Sequence, residues 1–169
     1  MLACIASESN PINETILIEK NDILGKKMLI TGKGRCNITN GIDISEFIKN
    51  IPQNGKFLFS AFQNFTNKDI IDLIEIKTKE ERGHRIFPVS DQSKDVVDSL
   101  IKKLKKTKII IKCKAEEILA KTENGEKIVS GVKIKYLNTN KEEIINCDKV
   151  ILATGGKSYP LTRFNWRWL

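Results

Sequence analysis

Histidine, tryptophan, proline and cysteine are all sparse in this chain. Of its 169 residues, one is His, two are Trp, four are Pro and four are Cys. The single histidine, His84, sits in a charged turn and reads as solvated, with a catalytic role as the alternative. Cys4, Cys36, Cys113 and Cys147 stand far apart with no Cys-x-x-Cys spacing. That argues against a zinc site and a disulfide scaffold, and for reduced thiols in a cytoplasmic setting. No apolar run approaches the roughly 20 residues needed to span a bilayer. The opening Met1-Leu2-Ala3-Cys4-Ile5-Ala6-Ser7-Glu8 has no basic stretch and does not read as a signal peptide. There are no internal repeats, and no linker long enough to divide the chain, so one domain is expected.

Positive charge is in excess, at a formal +8. A basic balance can mark a binder of nucleic acid or of a membrane surface. Here the cations are mostly Lys, beside abundant Ile and Asn, a mixture that an AT-rich coding sequence produces by itself. Lysines scatter over a helix face (Lys102, Lys103, Lys105, Lys106) and a strand (Lys133, Lys135). No aromatic-basic platform is visible, so neither nucleic acid nor membrane is expected as a partner.

Two strand-then-glycine units stand out. Thr15-Ile16-Leu17-Ile18-Glu19 is a β-branched, apolar run ending in an acid, and the loop Thr31-Gly32-Lys33-Gly34-Arg35-Cys36-Asn37-Ile38-Thr39-Asn40 follows it. Near the other end, Val150-Ile151-Leu152 runs into Ala153-Thr154-Gly155-Gly156. Small residues there lie at the carboxyl edge of a strand, where α/β sheets bind ligands. Together the units point to a nucleotide-binding α/β fold. Gly32 and Gly34 allow close backbone approach and positive φ. Arg35 can fork onto a phosphate or a ring carbonyl, and Asn37 can donate and accept. The plain alternative for this loop is a tight surface turn. Cys36 is either a redox thiol or a structural one.

Between the two units, Asp43 caps a helix with Glu46 three residues on. The stretch 56–65 favours helix, and Phe57, Phe59, Phe62 and Phe65 read as core. Thr66-Asn67-Lys68-Asp69 starts another helix, and two short strands flank Glu81-Arg82-Gly83-His84. Residues 93–106 form the clearest helix, capped by Ser93, with Val96, Val97, Leu100, Ile101 and Leu104 on one face. After it come strands at 108–113, 116–121, 127–136 and 142–147, with a hairpin turn at Asn124-Gly125. A buried strand is expected at 148–153.

These segments resemble, in order and over nearly the whole chain, a bacterial family of NAD(P)/FAD-dependent oxidoreductases, also described as aminoacetone-oxidase-like FAD-binding enzymes. The carrying motifs are Leu17-Ile18-Glu19-Lys20-Asn21, the run from Gly25 to Asn40, Glu81-Arg82-Gly83-His84-Arg85-Ile86-Phe87-Pro88-Val89-Ser90-Asp91, and Ala153 to Pro160. The resemblance implies a partial Rossmann-like FAD-binding domain of α/β class: a mostly parallel sheet with helices, carrying a small antiparallel β-meander. It implies ribose contacts for Glu19, with Lys20 beside it. Lys26 and Thr31, Gly32, Gly34, Arg35, Cys36 and Asn37 would lie along the ribityl-pyrophosphate and flavin. Ala115 would contact adenine, and Ala153, Thr154, Gly155 and Gly156 the pyrophosphate end. Where the family loop usually has three glycines, Lys33 replaces the middle one.

The resemblance also implies that a first strand and a G-x-G-x-x-G phosphate loop are missing before Met1, and it places a G-S-T-G-D-G-Y segment after Tyr159-Pro160. Here Arg163-Phe164-Asn165-Trp166-Arg167-Trp168-Leu169 follows instead. One permitted coding of that tail, AGG TTC AAC TGG AGA TGG TTA, read from its second base gives G-S-T-G-D-G and the start of a Tyr codon. Residues 1–162 are therefore expected to be an incomplete FAD domain, and 163–169 a frameshifted tail. The expected chemistry is redox, carried by FAD on a small-molecule substrate, with NAD(P)H as a further cofactor candidate. No catalytic residue stands out. By itself the chain is expected to bind FAD weakly or not at all. The rival readings are a non-enzymatic basic nucleotide- or nucleic-acid-binding module, and the non-functional product of a decayed gene.

Overall fold

The computed structural model describes residues 14–155, together with the single residue Ile5. The opening helical stretch apart from Ile5, the turn at Asn10–Asn13, Gly156 and the tail at 163–169 lie outside the described residues. The described residues form two compact units. The first is built from residues 14–24 and 104–155, and the second, Gly25–Lys103, intervenes in sequence.

In the first unit, β1 (Ile16–Ile18) pairs in parallel with β5 (Lys108–Ile110), Leu17 opposite Ile109. Three longer strands follow as an antiparallel meander: β6 (Cys113–Glu123), β7 (Glu126–Tyr136) and β8 (Glu142–Asn146). The β6–β7 hairpin turns on Asn124 and Gly125, both at positive φ (50° and 84°), as the dipeptide predicts. Alternation along β7 sends Val132 and Ile134 to one face, where they and Cys113 form a buried cluster. Ile18 and Ile110 pack against this cluster, which joins the parallel pair to the meander. The fold is thus Rossmann-like α/β with antiparallel sheets added. Among the described residues, the parallel part is the β1–β5 pair alone.

The buried strand expected at 148–153 is not present. Val150 packs against the core cluster, but Ile151 and Leu152 are 61% and 48% exposed, and the segment pairs with no strand among the described residues. An apolar run becomes a buried strand only where a neighbouring ladder satisfies its backbone, and here none does.

The second unit runs α1 (Lys26–Ile30), a 3₁₀ turn (Thr31–Gly34), β2 (Thr39–Asn40), α2 (Ile44–Lys49), a second 3₁₀ turn (Gly55–Leu58), α3 (Phe59–Asn64), α4 (Asn67–Ile74), β3 (Thr78–Glu81), β4 (Arg85–Pro88) and α5 (Ser93–Lys102). β4 is the centre of a three-stranded antiparallel sheet between β2 and β3. Asp43 caps α2 by accepting from the Ser45 amide at 3.0 Å. Thr66 and Asp69 form a reciprocal capping box at α4. The clear amphipathic helix, α5, buries Val96, Val97 and Leu100. It ends at Lys102 rather than 106, and its cap residue is Gln92. Ser93 instead donates its hydroxyl to the Leu29 carbonyl at 3.0 Å, tying α5 to α1. Gly25 is needed where these helices meet. Its φ is 70°, and a Cβ there would sit 2.8 Å from a Val97 methyl.

The four phenylalanines are not a core. Phe57, Phe59 and Phe65 are 85%, 56% and 45% exposed. Only Phe62 turns inward, its ring tilted on Phe47 with centroids 5.2 Å apart. The reason is local. The stretch splits into a 3₁₀ turn and a short α-helix, so spacings of two and three no longer place the rings on one face.

Candidate functional site

Two sets of expected site residues take shape, one in each unit. In the second unit, the chain leaves α1 through a left-handed passage. Gly32 lies at φ 56°, ψ 32° and Lys33 at φ 58°, ψ 40°, with Gly34 at φ 86° and Cys36 at φ 60°. Local hydrogen bonds close the turn. The Thr31 hydroxyl donates to the Met28 carbonyl at 2.8 Å, and the Cys36 amide donates to the Thr31 carbonyl at 3.1 Å. Gly32 is confined, since an added Cβ would meet the Asn37 nitrogen at 3.1 Å and the Phe87 ring at 3.2 Å. Gly34 borders open space, with nothing within 4 Å of an added Cβ. The Lys33 side chain is exposed, as are Lys26 and Asn37.

Arg35 fixes this loop to the β3–β4 hairpin. Its Nε donates to Asp91 Oδ1 at 2.8 Å, its Nη2 donates to Glu81, and its guanidinium lies 4.2 Å over the Phe87 ring. Lys79 completes the cluster, 2.5 Å from Asp91 Oδ2. Lys79 first and Arg35 second hold the Asp91 carboxyl below its ordinary range. The Arg35 fork, which the sequence offers to a phosphate or ring carbonyl, is therefore spent largely on Glu81 and Asp91. Cys36 is 4% exposed, and burial pushes its thiol up, partly offset by a hydrogen bond to Thr31. A raised, buried thiol fits the structural reading of Cys36.

Glu81, Phe87 and Asp91 were missed as site residues, although all three lie in a motif singled out in the sequence. The signal was the motif itself. It is the scaffold of the glycine loop: the Ile38 amide donates to the Ile86 carbonyl at 2.8 Å, the Gly41 amide to the His84 carbonyl at 2.7 Å, and Asn40 Nδ2 to the Gly83 carbonyl at 2.9 Å. His84 is exposed in this turn at φ 57°, its Nδ1 2.6 Å from Glu80.

In the first unit, Glu19 stands at the carboxyl end of β1. Its backbone extends the sheet, donating to the Ile110 carbonyl at 2.9 Å and accepting from the Cys113 amide at 3.1 Å. Its Oε1 accepts from the Asn21 amide and from Asn21 Nδ2, at 2.7 and 2.6 Å, which sets the direction of the carboxylate. Lys20 is exposed beside it. Ala115 lies on β6 opposite Ile134, where the register slips between Ala115 and Glu117. Ala153, Thr154 and Gly155 are exposed and irregular, with Gly155 at φ 79°, and Gly156 lies outside the described residues.

A parallel strand pair closed by an acid at its carboxyl end fits an α/β protein of Rossmann type. The comparisons agree. The chain matches the family described as HI0933-like protein Rossmann domain over residues 1–166, and it belongs to that family. It is 29% identical over 163 residues to the ribosomal RNA dihydrouridine synthase of Escherichia coli (strain K12), covering 93% of this chain and 37% of that protein. It is 28% identical over 165 residues to the 3-dehydro-bile acid delta(4,6)-reductase of Clostridium scindens, covering 92% of this chain and 36% of that protein. Among solved structures, that of Thermovibrio ammonificans THI4 superposes with a TM-score of 0.54 at 12% identity, over 85% of this chain and 47% of that one, a likeness of fold. The chain spans little more than a third of the length of the curated relatives it matches. Among the described residues, no helix is long and apolar enough to cross a membrane.

Proposed function

We propose that this chain is an FAD-binding part of a flavin-dependent oxidoreductase. The observation that carries the reading is Glu19 at the carboxyl end of a parallel strand, the position from which an acid accepts hydrogen bonds from a dinucleotide's ribose hydroxyls. Asn21 holds the carboxylate through Oε1, so the acid is oriented before any ligand arrives. Family membership supports the reading, as does the name of one relative, a reductase.

The residues present fit a flavin dinucleotide in kind. The open space at Gly34 admits close approach of a ligand to backbone, and Arg35 is fixed as the anchor of that loop. Ala115 and Ala153 to Gly156 in the first unit, and Lys26, Thr31, Gly32 and Asn37 in the second, are each proposed as cofactor contacts within their own unit. Bound FAD supplies hydride or electron transfer, and the protein's part is to bind and orient it. The two relatives are named for unlike substrates, ribosomal RNA and a bile acid, so membership of the family fixes no substrate. The proposal is for FAD and assigns no residue to a nicotinamide.

The test is a titration of the purified chain with FAD, followed by flavin fluorescence. The sequence contains no G-x-G-x-x-G loop, so binding is expected to be weak but saturable. Glu19→Gln should weaken it about tenfold, or ~1.4 kcal/mol. Binding that is unaltered in Glu19→Gln would overturn the reading.

A further inference from the structure

The meander of the first unit stops at β8. Among the described residues, β8 pairs with β7 on one side and with no strand on the other. The ladder shows which backbone groups point outward. The Tyr136 amide donates to the Lys141 carbonyl at 2.9 Å, and the Cys147 amide donates to the Ser130 carbonyl at 3.4 Å. Residues 141, 143, 145 and 147 therefore turn their hydrogen-bonding groups to β7, and Glu142, Ile144 and Asn146 turn theirs away from it. All three are exposed. An open edge is normally blunted by Lys, Pro or a bulge. β8 has neither Lys nor Pro, and its register against β7 runs without a slip. Ile145 packs toward the core cluster, while Ile144, 58% exposed, stands on the other face.

We infer that β8 is the docking edge for a second copy of this chain, paired antiparallel about a two-fold axis at Ile144. Charge and backbone parity select that occupant and that register. Backbone bonds form only where an outward residue meets an outward residue, so a symmetric antiparallel pair must be centred on a residue and not between two. Centred on Glu143, that acid would face the partner's Glu143. Centred on Ile145, Glu142 would face the partner's Asp148. Like charges directly opposed are destabilising. Centred on Ile144, Glu142 faces the partner's Asn146, Glu143 the partner's Ile145, and Lys141 the partner's Cys147, with no like pair. The acids are also matched within their own chain, Glu142 by Lys133 at 2.7 Å and Glu143 by Lys141 at 3.8 Å. Ile144 meets the partner's Ile144 at the axis, and the two three-stranded sheets become one. The edge is five residues long, against the roughly 20–30 residues a side of a standard interface, so the dimer is weak. This inference stands on the edge strand and does not depend on the flavin.

The test is sedimentation velocity of the full chain over a concentration series, with the fold followed by circular dichroism. The parent should pass from monomer to dimer between roughly 10 µM and 1 mM, the range of a small interface. Ile144→Lys sets two like charges face to face at the axis. It should keep the circular dichroism, since the side chain is exposed, and weaken dimerisation roughly tenfold. Ile144→Cys gives an independent reading. Opposed Cα atoms of a hydrogen-bonded antiparallel pair stand about 5.5 Å apart, within disulfide reach. Copper phenanthroline should therefore cross-link this variant faster than the parent. Three results would overturn the inference: a parent that stays monomeric through that range, a dimer unaffected by a folded Ile144→Lys, or Ile144→Cys that cross-links no faster than the parent. The second would mean that the copies meet elsewhere.

Discussion

Arg35 Nε donates to Asp91 Oδ1 at 2.8 Å, joining two residues 56 positions apart. That bond makes one unit of two sequence motifs. The glycine loop supplies the cation, and the segment from Glu81 to Asp91 supplies two carboxylates and the Phe87 ring beneath the guanidinium. A loop with so many left-handed residues is costly to hold alone, and the hairpin holds it.

Replacing Arg35 should therefore act on the fold of the second unit. Arg35→Ala is expected to lower the melting temperature and to loosen the loop, read as faster amide exchange at residues 32–37. Arg35→Lys should recover little, because an ammonium group cannot bond Asp91 and Glu81 as a planar fork does while lying flat on Phe87. A melting temperature equal to that of the parent protein in either variant would contradict this.

Acid should weaken the same cluster. The Asp91 carboxyl titrates below its ordinary range because Lys79 and then Arg35 bond its charged form. Asp43 and Asp69 are also lowered, by their caps. A depressed folded value means the stabilisation is present above the unfolded value of about 3.9 and lost as pH falls through the folded one. Denaturant midpoints should hold between pH 7 and 5 and drop below pH 4. Asp91→Asn should be less stable at neutral pH and show a shallower acid decline.

Lys33 occupies a left-handed conformation, φ 58° and ψ 40°, with its side chain in solvent. Lys33→Gly removes the strain and no contact of a core residue. Stability should rise by about 1 kcal/mol, measured by urea unfolding. A loss of stability would show that the lysine makes a contact that outweighs the strain.

The core lies elsewhere than in the phenylalanines. Ile134 is fully buried beside Cys113 and Val132. Ile134→Ala should cost roughly 2–5 kcal/mol through the cavity it leaves. Phe57→Ser, at a ring 85% exposed, should stay within about 0.5 kcal/mol of the parent. Parallel urea titrations of the two variants distinguish a buried position from an exposed one.

What the sequence showed was what is local. Thr66 with Asp69, Asp43, and Asn124-Gly125 each act through neighbours a few positions away, and each forms as read. Glu19 could be placed at a strand end because the apolar run beside it is short and β-branched. Some misses are local, such as the helix cap at Gln92 rather than Ser93 and the split of 55–64 into a 3₁₀ turn and a short helix; others are questions of partners. Whether 148–153 pairs and what Arg35 bonds depend on chain distant in sequence, and no periodicity within a segment carries that information. The glycine loop is legible as a loop, but its anchor is not, because nothing in the sequence joins Arg35 to Glu81 and Asp91, 46 and 56 positions away.

The central claim is that Glu19 is poised to hold a dinucleotide ribose. Titrating FAD into the parent chain and into Glu19→Gln, at matched folded concentration, tests it directly. The account predicts saturable binding in the parent and about tenfold weaker binding in the variant. Equal affinities in the parent and the variant would contradict it.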